Sequence, residues 1–209
     1  MTPGDPIIWP SVVLDDLRRQ GKDPAASCPR YEEQAALQWE ALKPALAAFP
    51  AVGSVLDIGC GYALLDVVLA RALRPHSVFL IDGNGDGTKA RSFRATMAPW
   101  ADARMGALMF HTNAPADCWM MVQNKSPFVF PPGLDMVMSS RSWGHHYPVS
   151  TYLNQVAGAV RSGGLLMIDI RRDTDGLQQL AAAGFEVVTR IPDPSVKCAR
   201  FLLCLNPSG

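Results

Sequence analysis

The chain has 209 residues, enough for about one domain that buries roughly 70% of its unfolded surface. Apolar residues make up 48% and charged residues 18%, as in an ordinary soluble globular protein, and the net charge of zero gives no general attraction for nucleic acid or an anionic membrane. Five cysteines, an odd number without a Cys-x-x-Cys pair, argue against a disulfide framework or zinc site and for a reducing, cytoplasmic compartment. No basic region leads into an apolar run at the start, and no stretch is long enough to span a bilayer.

Residues 1–30 are rich in Pro, Gly and Asp and read as an irregular arm with one amphipathic piece, Val12–Arg19. Helical spacing from Arg30 to Phe49 predicts a helix that Pro44 kinks or splits. Residues 1–49 are thus expected to form an arm and a helix over the site of a single domain spanning 1–209. Ser54–Gly61 (Ser-Val-Leu-Asp-Ile-Gly-Cys-Gly) is an apolar strand ending in an acid and a glycine turn, followed by a helix over Ala63–Leu73. Ser77–Asp82 is a second buried strand ending in an acid. Within 83–133, the pattern predicts a basic helix near Lys89–Met97, a helix near Pro115–Gln123 and a weak strand near Phe128–Phe130. Beyond the break Pro131-Pro132-Gly133 come a strand over Leu134–Ser139, a helix over Val149–Val160 and a strand over Leu165–Ile170. A helix over Gly176–Ala183 with Gly184 at its C′ position follows. Two strands, Phe185–Ile191 and Val196–Leu205, end the chain.

Alternating strands and helices imply a mostly parallel sheet covered on both faces, with ligands at the carboxyl ends of its strands. That rule gathers Asp57–Gly61, Asp82, Ser139–Tyr147 and Arg171 in one place. Asp57 selects among ligands for the glycine turn: a carboxylate repels a pyrophosphate and attracts an ammonium group. Leu64 stands where the dinucleotide fingerprint has its last glycine, which argues against an oxidoreductase. Asp82, about twenty residues on, suits ribose hydroxyls. Asp82–Gly87 also imitates the first half of a calcium loop, but Phe93 replaces its closing Glu, so no metal is expected.

The densest cluster of functional groups is Ser139–Pro148. His145 or His146 can take a proton from a hydroxyl near neutral pH, and in an extended segment only one of two neighbours faces the site. Trp143 and Tyr147 can wall a substrate or cover a cation. The competing reading is a polar loop whose histidines cap the next helix and whose Trp143 packs in the core. Arg171 suits a carboxylate or phosphate, or a surface ion pair. Cys60 reads as a small packing residue.

With these motifs in order, the chain resembles the class I S-adenosylmethionine-dependent methyltransferases over roughly residues 50–205. Val55–Gly61 looks like the first motif, Leu80-Ile-Asp82 like the ribose-binding acid, Leu134–Ser139 like the fourth strand and Ser162–Ile168 like the fifth. The resemblance implies a Rossmann-like α/β sandwich with a seven-stranded, mostly parallel sheet whose last strand is antiparallel. It also implies S-adenosylmethionine as cofactor. Gly59 and Gly61 would line its methionine portion, with Asp57 nearby and Asp82 on the ribose. Cys60, Gly83, Ser139 and Ser140 complete the expected cofactor site. Ser142–Pro148 is similar to a bacterial subgroup acting on sugars or other small molecules, in which His146 holds the shared position. No adenine-binding acid is evident near Phe128–Phe130. The expected activity is O-methylation of a small molecule with His146, or else His145, as base, and with Trp143, Tyr147 and Arg171 around the acceptor. An N-methyltransferase, a macromolecule methyltransferase and a non-catalytic nucleoside-binding module are the alternatives.

Overall fold

The computed structural model describes residues 2, 4–83, 102–125, 127–192 and 197–206. The expected helix at Lys89–Met97 and most of the calcium-like loop fall outside them. Seven strands form one sheet: β1 (Ser54–Ile58), β2 (Ser77–Ile81), β3 (Trp119–Gln123), β4 (Leu134–Ser139), β5 (Val160–Arg171), β6 (Phe185–Ile191) and β7 (Cys198–Leu205). Their order is β3-β2-β1-β4-β5-β7-β6. The ladders from β3 through β5 are parallel, and β7 runs antiparallel between β5 and β6.

Side chains alternate across a strand, and the core divides accordingly. Val55, Val78, Leu80, Met136, Met138, Leu165 and Met167 point to one layer, with α1 (Ser11–Arg19), α2 (Pro24–Leu46), α3 (Leu64–Leu73) and α4 (Ala103–Asn113). Leu56, Ile58, Phe79, Ile81, Val137, Leu166 and Ile168 point to the other, with α5 (Leu153–Ala159) and α6 (Gly176–Ala182). By the same parity Asp57 lies on the α1–α4 face, two residues after Val55, and Asp169 lies there two residues after Met167.

Several elements differ from the sequence pattern. The amphipathic piece is helix α1, which buries Val13 and Leu17 at i, i+4 spacing. Helix α2 starts at Pro24, not Arg30, because Asp23 caps it by accepting the Ala25 N–H at 3.0 Å and Pro24 suits its first turn. Neither Pro29 nor Pro44 splits α2; it continues to Leu46, anchored by buried Trp39, Leu42 and Leu46. The helix expected at Pro115–Gln123 is instead strand β3, which pairs in register with β2 and sets Trp119 edge to face with Phe79. Helix α4 ends just before it, capped at its start by the Asp102 side chain. Phe128–Phe130 is loop, with Phe128 and Phe130 packed against Tyr152. The helix expected over Val149–Val160 is a short 3₁₀ turn, Val149–Thr151, followed by α5. Among the described residues no helix is long and apolar enough to cross a membrane.

Candidate active site

The glycine turn joins β1 to α3. Gly59 has φ +87°, and a Cβ there would collide with the Ser142 side chain, so only glycine lets the turn meet the loop after β4. The Gly59 N–H donates to the Ile81 carbonyl at 2.7 Å, and the Gly61 N–H donates to Asp82 Oδ2 at 2.9 Å. The other Asp82 oxygen accepts the Gly83 N–H at 2.8 Å. Asp82 is therefore the clamp that ties the β1 turn to the β2 turn.

An inner cavity of about 490 Å³ opens above this turn. Its floor includes Asp57, Gly59, Cys60, Gly61 and Asp66, and Ser140, Arg141 and His146 close one side. Its roof comes from the first forty residues: Asp16 of α1, Gln20 just after it, Lys22, and Tyr31, Gln34 and Gln38 of α2. An aromatic cluster holds the roof down, with the Trp9, Tyr31 and Tyr62 ring centroids 5.9 to 6.5 Å apart. The Tyr62 hydroxyl donates to Asp16 Oδ2 at 2.9 Å, and Lys22 Nζ lies 5.4 Å from the Tyr31 ring. A second tie joins the arm to α4, where Asn113 exchanges hydrogen bonds with the Ile8 backbone at 2.7 and 2.8 Å.

The electrostatics of the floor are unusual. Asp57 and Asp66 are buried, at 4% and 1% exposure. Apart from each other, Asp57 Oδ1 and the two Asp66 oxygens have no side-chain partner among the described residues. The two carboxyls face each other, and a hydrogen bond between them requires a proton on one. Burial raises Asp57 well above the usual carboxylate range, and the charges of Asp66 and Asp82 add to the effect. Burial raises Asp66 to about 7, against the opposing hydrogen bond from Asp57. Desolvation and the neighbouring acids push the Cys60 thiol upward too, which makes it a packing group and a poor nucleophile.

The loop after β4 sorts the remaining candidates. His146 lines the inner cavity, whereas His145 does not. The two rings meet edge to face at 4.6 Å, and burial lowers the affinity of His145 for a proton. Ser140 lines the cavity and accepts from Gln38 Nε2 at 3.2 Å and Arg200 Nη2 at 3.0 Å. Ser139 is a correction to the sequence reading: it is fully buried, donates to the Ile58 carbonyl at 2.7 Å and accepts the Trp143 N–H at 2.9 Å. Its hydroxyl staples the loop to β1 and has no face toward a ligand. Trp143 is a second correction, a core residue with no exposed surface whose Nε1–H donates to the Val149 carbonyl at 2.8 Å. Tyr147 is 5% exposed and its hydroxyl meets Ser142 Oγ at 2.9 Å, so it supports the loop from behind. Arg171 lines neither cavity described here; its backbone N–H holds the Gly144 carbonyl at 2.9 Å.

Beside the inner cavity lies an outer one of about 1170 Å³, bounded by α2, β6 and β7. Gln34, Gln38 and Arg141 line both, so they form the shared wall. Asp169 anchors that wall: it accepts Arg200 Nε at 2.6 Å and Nη2 at 2.8 Å, and the Arg141 backbone N–H at 2.9 Å. Asp66, Arg141, Arg200 and the roof residues were not singled out in the sequence. Asp66 is an acid in the first turn of a mostly apolar helix, and nothing nearby in the sequence points to its partner.

No family model and no curated protein matches the chain. Solved structures do. Precorrin-6y C5,15-methyltransferase from Geobacter metallireducens superposes with a TM-score of 0.55 at 12% identity, over 84% of this chain and 89% of that one. The S-adenosylmethionine-dependent methyltransferase SibL, in its apo form, gives 0.55 at 20% identity, over 85% of this chain and 57% of its own. TYW2 of M. jannaschii, in complex with AdoMet, gives 0.50 at 11% identity, over 80% and 74%. The chain has the Rossmann-like fold of the class I S-adenosylmethionine-dependent methyltransferases, with the seven-stranded, mostly parallel sheet and antiparallel last strand expected of it.

Proposed function

We propose that the protein is an S-adenosylmethionine-dependent methyltransferase that methylates a small-molecule hydroxyl. The observation that carries this reading is the buried Asp57–Asp66 pair under the glycine turn, two residues that line the cavity at the carboxyl end of β1 and whose oxygens take no other side-chain donor among the described residues. An amino-acid ammonium supplies both the charge and the N–H groups that these oxygens lack. Lys22, on the roof of the same cavity, complements the carboxylate of such an amino acid. Asp82, at the neighbouring strand end, would accept ribose hydroxyls in addition to the Gly61 and Gly83 N–H groups it already holds.

When bound, the cofactor supplies a methyl group already activated on a sulfonium, so the protein's task is mainly alignment. The wall of Gln34, Gln38 and Arg141 brings an acceptor in the outer cavity up to the inner one. His146, on the inner cavity, would take the proton that the acceptor hydroxyl gives up on receiving that methyl group.

Calorimetric titration with S-adenosylhomocysteine tests the foundation. Saturable binding that Asp57→Ala weakens is the expected result, and no binding by the wild-type protein refutes it. His146→Ala should keep that affinity and lower turnover. Full turnover in that variant would remove the histidine from the mechanism and favour an amine acceptor, which needs less help from a base.

A further inference from the structure

We infer that the buried Asp169–Arg200 pair is a positioning element for ligand recognition. It holds the Ser140 hydroxyl as a fixed hydrogen-bond donor for an anionic oxygen in the inner cavity, and that oxygen belongs to the carboxylate of the cofactor. The assignment to the cofactor rests on the methyltransferase reading, while the fixed donor follows from hydrogen bonding alone.

Arg200 stands directly opposite Asp169 in the β5–β7 ladder, so their side chains share one face of the sheet. That face lies beneath α2, because Asp169 has the parity of Met167. Asp169 accepts from Arg200 Nε at 2.6 Å and from Nη2 at 2.8 Å, with the two side chains at most 1% exposed. The same Nη2 also donates to Ser140 Oγ at 3.0 Å, just past the end of β4. A planar fork gripped by a buried carboxylate has little freedom, so the sheet itself sets the direction of this bond.

A serine hydroxyl has two lone pairs and one proton. One lone pair of Ser140 takes the Arg200 N–H, and the other takes Gln38 Nε2–H of α2 at 3.2 Å. Both acceptor positions are filled, and the O–H is what remains. Among the described residues no acceptor takes that proton. Ser140 lines the inner cavity, so its remaining bond belongs to whatever occupies that space. A hydroxyl that already accepts from a guanidinium is polarised toward giving its own proton, and it pairs best with an anion. The acids of the floor suit an ammonium. In an α-amino acid the carboxylate shares a carbon with that ammonium, so it falls within the same cavity. Lys22 then meets the carboxylate from the roof and Ser140 meets it from the side. A ligand without the carboxylate leaves the Ser140 proton unmet, which makes Ser140 a selector for the intact amino acid.

Calorimetric titration of the full chain with two ligands, S-adenosylhomocysteine and its decarboxylated form, tests this. Ser140→Ala should weaken S-adenosylhomocysteine by ~10-fold and the decarboxylated form by less than ~2-fold. Ser140→Thr keeps an O–H at the same place and should restore most of the lost affinity. Arg200→Lys keeps a cation beside Asp169 but loses the planar fork that reaches both partners. It should narrow the preference for the carboxylated ligand by ~3-fold, a ratio that a purely structural loss leaves unchanged. Equal losses for the two ligands in Ser140→Ala, or an affinity for S-adenosylhomocysteine that the variant leaves unmoved, overturns the inference. An unchanged ratio in Arg200→Lys removes Arg200 from the positioning role, and if that variant does not fold, Ser140→Ala and Ser140→Thr decide. Failure of the wild-type chain to bind S-adenosylhomocysteine at the outset would instead refute the methyltransferase reading, and with it the identity of the oxygen.

Discussion

Replacing Asp66 by Asn should stabilise the protein while weakening its hold on the cofactor, and pH separates the two effects. Asp66 is raised from 3.8 to about 7 by burial, a difference of about 3 that corresponds to ~4 kcal/mol. From about pH 4 to about pH 7 the folded chain keeps a proton that the unfolded chain has released, so stability falls as pH rises through that window. Of the total, ~3 kcal/mol falls between pH 5 and pH 8, the rest having gone below pH 5. An Asn amide donates to Asp57 at any pH and escapes this loss. Urea denaturation of both proteins at pH 5 and pH 8 reads it directly: the advantage of Asp66→Asn should grow by ~3 kcal/mol across that range. Saturating S-adenosylhomocysteine should flatten the wild-type curve, because its ammonium compensates the ionised pair. The variant should bind that ligand ~10-fold more weakly. Parallel stability curves for the two proteins would refute the shared-proton account of the floor.

Three further outcomes follow from the geometry. Gly59→Ala puts a Cβ into Ser142 at φ +87°, and should lower the melting temperature and abolish S-adenosylhomocysteine binding in a thermal-shift assay. Arg200→Met strands Asp169 as a buried unpaired charge and should cost ~3–5 kcal/mol in urea denaturation, with Asp169→Asn restoring part of the loss in the double variant. Ser139→Ala leaves the Ile58 carbonyl and the Trp143 N–H without their partner and should cost ~1–3 kcal/mol by the same measurement, while cofactor affinity stays within a few-fold. A large loss of affinity in a stable protein would return Ser139 to the ligand site.

The central sheet was legible because buried parallel strands read as short apolar runs between turn signals, as at Ser54–Ile58, Ser77–Ile81 and Leu134–Ser139. Strand β3 was not: Pro115–Gln123 mixes Ala, Cys, Met and Gln, with no alternation, and its extended form comes from pairing with β2. The start of α2 was missed at Asp23-Pro24, a cap signal masked by the prolines around it. In the site, the acid and glycines of Val55–Gly61 carried their own meaning. Asp66 did not, since its partner Asp57 lies on another element and only helix α3 brings them together. Ser139 and Trp143 misled for a related reason. A polar or aromatic residue beside a ligand loop can serve the loop's own backbone, and the Ile58 and Val149 carbonyls that claim them are invisible in the local pattern.

The position of Asp169 has a consequence for change in this molecule. One carboxylate near the carboxyl end of β5 fixes both Arg200 and the backbone of Arg141, and so sets the spacing between the two cavities. Two residues on the outer cavity's rim, Arg190 on edge strand β6 and Arg30 on the exposed flank of α2, lie apart from that anchor. Substitutions at such exposed positions usually shift stability by about 0.5 kcal/mol or less, far below the cost of disturbing the anchor. The rim of the outer cavity can therefore drift, or be redesigned, while the spacing between the two cavities is inherited unchanged.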